Sequence, residues 1–451
     1  MQKWHPHLRA GTAPLFVRLV EAIEHDIAAG TLAAGTRLPT QRDLAEEIGL
    51  SVGTVIKAYA EGQRRGLLLG HVGRGTFVAS QRPTPASGGK VVDLSLNIPG
   101  PALLPKVLAE SPSTFPTADI SDYVGYLSHS GVAEHRAQLA GLFRQSGFEA
   151  NPDNLVITNG AQHGIALTFS SICQPGDKVF VEAGTYHGMK SYAHFAKLDL
   201  IGLPMDGEGL LPGAFDKAAA SGAARVLFAI PTIQSPTARI MSAARRREIV
   251  RIARKRDILI IEDDAYGFLD ETSEPLASLA PERTFYVNTL SKCLAPGLRI
   301  GMLVAPEPYL SQIHQSMRAT CWMASPISTF IVSEWIRTGT AARVKQSLVQ
   351  EAKKRVKLAS QILRPHIRAD HPASFHIWMD LPSDIAQQVA ARSLQRGVIT
   401  TPPSALVVDP SLISGLRISI GVPENIEDLE WALRQVAASL EVGNEASMSI
   451  I

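Results

Sequence analysis

Apolar positions in the first eighty residues recur at helical spacing, whereas those of the remainder gather into short unbroken runs. Leu15, Leu19, Ile23 and Ile27, behind Pro14, share one face of a first helix. Thr40, with Asp43 three residues on, has the form of an N-terminal cap and predicts a short second helix that stops at Gly49. Ser51 predicts the start of a third helix, with Val52, Val55 and Tyr59 available to its inner face. Residues 67–69 and 76–78 read as two short strands. Three small helices and a hairpin predict a winged helix-turn-helix over residues 10–80, the third helix being the one shaped for a DNA major groove.

Residues 81–90 are rich in proline, serine and glycine and predict a linker, at most ~30–35 Å long when extended. Beyond it, the runs 155–158, 178–182, 225–230, 258–262 and 285–289 alternate with helical stretches such as 242–256. Strands without polar alternation are buried on both faces, so residues 91–445 predict an α/β domain with a mostly parallel sheet covered by helices.

Composition changes this picture little. At 451 residues and 45% hydrophobic, the chain can build more than one core. No stretch approaches the ~18–20 apolar residues of a membrane span, and the first residues lack a signal core. Three scattered cysteines predict free thiols and a cytoplasmic location. The net charge is +2, and residues 1–80 carry nine Lys+Arg against seven Asp+Glu, again +2. Pattern, not charge, therefore carries the expectation of a nucleic-acid partner.

In parallel sheets, ligands bind beyond the carboxyl ends of the strands. Lys292 follows the run 285–290. A poorly hydrated lysine favours the neutral amine that attacks carbonyls. Thr289 and Ser291 flank it with hydroxyls, and Arg299 adds a fork suited to phosphate. An amine beside a phosphate cradle points to pyridoxal 5'-phosphate. Gly160-Ala161-Gln162 open a helix after one strand and offer free N–H groups to an anion. Tyr186 follows the next strand, and Asp263 and Tyr266 follow a third.

Two resemblances gather these residues. Residues 35–45 (Gly-Thr-Arg-Leu-Pro-Thr-Gln-Arg-Asp-Leu-Ala), 51–55 (Ser-Val-Gly-Thr-Val) and 73–78 (Gly-Arg-Gly-Thr-Phe-Val) resemble the GntR family of bacterial regulators. The resemblance implies DNA contacts by Arg37, Thr40, Arg42, Ser51, Thr54 and Lys57, with Gly73 and Arg74 in the wing reaching the minor groove. Many relatives carry arginine where Val52 or Gly53 and Ile56 stand.

From about residue 91 to 440 the chain resembles the fold-type I aminotransferases, which implies a smaller C-terminal α+β subdomain, roughly residues 335–445, with strands at 374–379, 397–399 and 416–420 and a closing helix over 427–440. That resemblance implies that Lys292 carries pyridoxal 5'-phosphate as an aldimine, that Asp263 pairs with the ring nitrogen, and that Tyr266 bonds the ring oxygen. It further implies phosphate binding by Gly160, Ala161, Gln162, Thr289, Ser291 and Arg299, stacking by Tyr186, a contact from Tyr126 to the other subunit's phosphate, and Arg417 on a substrate carboxylate. Ser235 stands where the family carries asparagine, and the shorter side chain implies slow or absent transamination.

The two halves in this order resemble the MocR subgroup. This implies a homodimeric, cytoplasmic regulator that binds an operator in double-stranded DNA and senses an amine or amino acid through Lys292. Two other readings stay open: a working aminotransferase that carries a DNA-binding domain, and a DNA-binding protein whose cofactor site is structural.

Overall fold

A computed structural model of the chain describes residues 4, 6, 14–28, 31–32, 36–64, 67–71, 75–78, 90–99 and 120–448. Gly35, the wing residues Gly73 and Arg74, and residues 81–89 of the expected linker lie outside them. The chain divides into two units, Met1–Lys90 and Val91–Ile451.

In the first unit, helices α1 (Leu15–Ala28), α2 (Gln41–Ile48) and α3 (Val52–Arg64) precede strands β1 (Leu68–His71) and β2 (Gly75–Val78), which pair antiparallel. Local chemistry sets the boundaries. Thr40 Oγ1 accepts from Asp43 N–H (3.2 Å), and Gly49 ends α2 at φ 66°, a conformation that favours glycine. Ser51 Oγ accepts from Thr54 N–H (3.1 Å) at the start of α3. Leu19, Ile23, Leu44, Val55 and Tyr59 fill the core. Val52, expected on the inner face of α3, is instead 39% exposed, because Val55, Ala58 and Tyr59 complete that face. The extended backbone at 36–38 adds a short edge to the hairpin: Leu38 N–H donates to the Thr76 carbonyl and Val78 N–H to that of Thr36.

The second unit begins with β3 (Val92–Leu94). Its seven-stranded sheet contains β4 (Leu155–Thr158), β5 (Lys178–Glu182), β6 (Asp199–Leu203), β7 (Val226–Ala229), β8 (Leu259–Asp263), β9 (Thr284–Thr289) and β10 (Gly301–Val304). The spatial order is β4-β10-β9-β8-β7-β5-β6. Neighbours from β9 through β6 run parallel, whereas β10 is antiparallel to both β9 and β4. β10 and the edge strand β6 are not among the expected strands, although residues 300–305 around β10 form an unbroken apolar run. Helices α4 (Ala161–Ile172), α5 (His187–Ala196) and α6 (Ala243–Arg256) are among those covering the sheet. Ser242 caps α6 by accepting from Arg245 N–H (3.2 Å).

The long helix α7 (Thr340–Ile362) joins two cores: Val344 and Leu348 pack with the large sheet, Val356 and Ala359 with the smaller subdomain. There β11 (His376–Asp380) pairs antiparallel with β13 (Gly415–Ser419), beside helices α8 (Ser383–Gln395) and α9 (Ile426–Met448). Strand β12 (Val398–Thr400) pairs in parallel with β3. The subdomain core therefore draws on Val92 and Leu94 as well as on residues beyond 335, which no boundary near residue 335 anticipates. Residues 95–98 leave that core directly after β3.

Candidate functional site

The carboxyl ends of β4, β5, β8 and β9 surround a cleft of about 1100 Å³, part of it open solvent. Its wall includes Ala161, Gln162, Tyr186, Ser235, Asp263, Tyr266, Thr289, Ser291, Lys292, Arg299 and Arg417, so residues spread over more than 250 positions of sequence meet in one place.

Lys292 lies just past β9. Burial, reinforced by the positive charge of Arg417, pulls its ammonium down to about 8, while Asp263 works weakly in the opposite direction. Asp263 ends β8 and is buried; burial pushes its carboxyl up to about 7, although Ala265 N–H donates to Oδ1 (3.1 Å). Lys292 and Tyr266 converge on one backbone oxygen: the Asn97 carbonyl accepts from Lys292 Nζ and from the Tyr266 hydroxyl (2.8 Å). Burial raises the Tyr266 phenol far above its usual range, so it remains a donor.

The far end of the cleft is built for an anion. Gly160 takes φ 84° at the N-terminus of α4, and a Cβ there would lie 2.8 Å from Arg299 Nη2. A Cβ on Gly301 would lie 2.8 Å from the Ala161 nitrogen. These two glycines let the guanidinium and β10 approach the free N–H groups that open α4. Arg299 Nη2 donates to the Asn159 carbonyl (3.3 Å). Thr289 Oγ1 accepts from Ser291 N–H (3.2 Å) and donates to the Ile300 carbonyl (3.0 Å).

Arg417, on β13, is buried, and burial draws it down to about 10. Its Nη2 donates to the Ser95 carbonyl and to Thr401 Oγ1, both at 2.9 Å, while Nε has no partner. The Ser235 hydroxyl is also buried on the cleft wall without a partner. An unpaired hydroxyl, an amine near neutrality, a buried acid and an anion cradle together fit pyridoxal 5'-phosphate.

Gln162 reaches the wall, but its amide donates to the Gly188 carbonyl (3.0 Å), which directs it toward α5. Tyr186 sits half-buried at the start of α5, its ring edge-on to His187. Tyr126 is outside the cleft: it is 85% exposed, with its ring edge-on to Trp322.

Sequence reasoning passed over four residues that organise the site. Asn97 supplies the shared carbonyl, and its amide donates to His376 Nδ1 (3.1 Å). That bond leaves the imidazole proton on Nε2, which donates to the Gln234 carbonyl (3.0 Å). Burial, followed by the charge of Arg417, pushes His376 down to about 3, so the ring stays neutral. Gln234 Nε2 donates to Glu182 Oε2 (3.1 Å) and to the Gly184 carbonyl (2.7 Å), holding the loop that carries Ser235. Burial raises the Glu182 carboxyl to about 8. The turn signal Asn97-Ile98-Pro99-Gly100 marks a loop, but nothing in it tells where that loop returns.

In the first unit, Arg37, Thr40, Arg42, Ser51 and Lys57 are exposed and Thr54 is half-exposed. The Ser51 and Thr54 hydroxyls bond each other (2.8 Å). A Cβ on Gly75 would lie 2.9 Å from Arg37 Nε, which places Arg37 beside the hairpin.

Residues 89–433 match the family model for aminotransferase class I and II, and residues 15–78 match that for bacterial regulatory proteins of the gntR family. The chain is 28% identical over 442 residues to the uncharacterized HTH-type transcriptional regulator YdeF of Bacillus subtilis, covering 95% of both chains. It is 25% identical over 452 residues to the HTH-type pyridoxine biosynthesis transcriptional regulator PdxR of Corynebacterium glutamicum, covering 94% of this chain and 96% of that one. Among solved structures, LysN, the α-aminoadipate aminotransferase of Thermus thermophilus complexed with N-(5'-phosphopyridoxyl)-L-leucine, matches 79% of this chain and 93% of its own. The TM-score is 0.70 at 23% identity, a likeness of fold. Among the described residues, no helix is long and apolar enough to cross a membrane.

Proposed function

The chain belongs to the aminotransferase class I and II family and carries a gntR-type region, and from that premise we propose that it is a DNA-binding transcription regulator whose response is set by an amine or amino acid at a pyridoxal 5'-phosphate site. The observation that carries this reading is the meeting of Lys292, Asp263, Tyr266, Arg299 and Arg417 in one cleft, in a chain that also has a recognition helix.

Bound pyridoxal 5'-phosphate supplies a carbonyl carbon that exchanges amines and a ring that withdraws electrons. Lys292, pulled down to about 8, offers its neutral amine near physiological pH. Asp263, buried at the end of β8, would pair with the cofactor's ring nitrogen. Arg299 and the N–H groups opening α4 bind the phosphate. Arg417 has a free Nε and exchanges its bond to the Ser95 carbonyl for an incoming carboxylate. Tyr266 and Lys292, which both donate to the Asn97 carbonyl, would turn to the cofactor instead. Arg37, Thr40, Arg42, Ser51, Thr54 and Lys57, with Gly73 and Arg74 of the wing, form the DNA face. Exposed Tyr126 completes the cleft of a second copy, so the regulator is a homodimer, which also suits paired half-sites. Effector occupancy changes DNA affinity only as far as it binds one DNA-binding state better than the other.

The same side chains support an aminotransferase reading, and Ser235 weighs against it, since its short hydroxyl replaces the family's longer amide donor. The test uses the full chain loaded with pyridoxal 5'-phosphate and titrates operator DNA with and without an amino acid that shifts its visible spectrum. A change in DNA affinity with turnover slow or absent supports the regulator. Many turnovers per second, with DNA affinity indifferent to the same amino acid, establish the enzyme instead.

A further inference from the structure

Helix α3 turns an apolar surface to solvent. Its inner face is complete with Val55, Ala58 and Tyr59, all essentially inaccessible. On the other side, Val52 is 39% and Ile56 47% exposed, one helical turn apart, with exposed Gly53 and Lys57 between and beside them. A Cβ on Gly53 would meet only Ser51 Oγ, at 3.9 Å, so the helix backbone is open to close approach there.

Hydrogen-bonding groups on this face are few. Val52, Gly53 and Ile56 have no side-chain donor or acceptor. The Ser51 hydroxyl caps the helix and is bonded to that of Thr54. Within the first turns of α3, residues 51–57, Lys57 alone brings a cation. Arginine or asparagine readout of guanine and adenine is therefore missing from the centre of the face. In the major groove, one base-edge feature is apolar: the thymine 5-methyl group. Valine and isoleucine suit it, because β-branched side chains are already stiff in a helix and lose little freedom on docking.

We propose that α3 reads thymine methyl groups through Val52 and Ile56, so that the operator half-site presents two thymines under the helix. Four residues of helix advance about 6 Å, against about 3.4 Å per base step, so the two methyls lie within about two base-pair steps of each other. This rests on the DNA-binding reading above and adds what is read.

The experiment selects duplexes from a random pool with the full-length protein, then replaces the thymidines of the preferred half-site by deoxyuridine, which removes only the methyl. Burying one methyl-sized group predicts about a fourfold loss of affinity per contacted position. Ile56→Ala should lose about as much on the thymidine duplex, and the deoxyuridine replacement beneath it should then cost nothing further. Arg42→Ala should weaken both duplexes equally, since a phosphate contact does not sense the methyl. Selected half-sites with G·C pairs under the helix, or binding indifferent to methyl removal, overturn the proposal while DNA binding itself stands. A change in association state with Ile56→Ala, with methyl removal silent, assigns the face to a protein contact and overturns it too. Failure to bind any duplex removes the DNA-binding reading itself.

Discussion

The two units place their working side chains in opposite ways. In the DNA-binding unit they stand on the surface, and short local bonds from Thr40 and Ser51 decide where each helix starts. In the cleft unit they are buried, and their partners come from far along the chain: Asn97 for Lys292, Ser95 for Arg417, Gln234 for His376. Burial alters their chemistry. It brings Lys292 down to about 8 and Asp263 up to about 7, which suits an amine and an acid to neutral pH. A surface contact needs shape and charge, whereas a cofactor-binding amine needs a reactivity that water would suppress.

The largest expected effect breaks the cleft alone. Lys292→Ala should abolish the visible absorption of protein incubated with pyridoxal 5'-phosphate, while circular dichroism reports a folded chain. A colourless wild type would end the cofactor reading. Next, Arg417→Ala removes a charged, partly unpaired guanidinium. The spectral response to an amino acid should weaken roughly ten- to a hundredfold, whereas the matching amine without a carboxylate should respond as before. Equal losses for both would remove Arg417 from carboxylate binding.

A third prediction concerns pH. The Lys292 pKa is about 8 in the fold against an ordinary value of 10.5, so the folded chain sheds that proton first. Reductive trapping of pyridoxal 5'-phosphate on the apoprotein should rise with pH through about 8 and then level off. For stability the sign follows from proton counts: between about 8 and 10.5 the unfolded chain binds more protons, so this lysine's destabilising contribution fades as pH rises across that window. Trapping that climbs through pH 10 would mean that Lys292 is solvated.

On the exposed side, effects should be smaller and depend on salt. Arg42→Ala should weaken DNA binding and lower the slope of log affinity against log salt by about one unit. Thr40→Ala should cost about 1 kcal/mol of stability through the lost cap, read from thermal unfolding of the first unit, with the cleft's spectrum unchanged. A shift of that spectrum would show that the two units are energetically coupled.

How far each unit is legible from sequence follows the same division. Capping residues, Gly49 and the buried stripe of α1 announce themselves because each acts within a few residues. So do the unbroken apolar runs of β4, β5 and β9. Lys292, Asp263 and Tyr266 could be picked out because each follows such a run, and Arg299 because it stands seven residues after Lys292. Asn97, Gln234 and His376 could not, since a polar residue in a loop or at a strand start gives no sign of its distant partner. Val52 was misplaced for a related reason: helical spacing offers it to the core, and only the complete packing of Val55, Ala58 and Tyr59 turns it outward.

By itself, then, the order of residues determined the two-part organisation, most elements of the large sheet, and the ionisable groups at its strand ends, because periodicity, caps and strand ends are properties of neighbouring residues. Tertiary structure decided the rest. It threaded β10 antiparallel between β9 and β4 and sent β3 into the C-terminal subdomain. It also brought Arg299 against Gly160 and Gly301 against the start of α4, and brought the carbonyls of Ser95 and Asn97 onto Arg417 and Lys292. These are contacts between segments as much as 322 residues apart, settled by which surfaces could be buried together and which polar groups could be satisfied once water had been excluded.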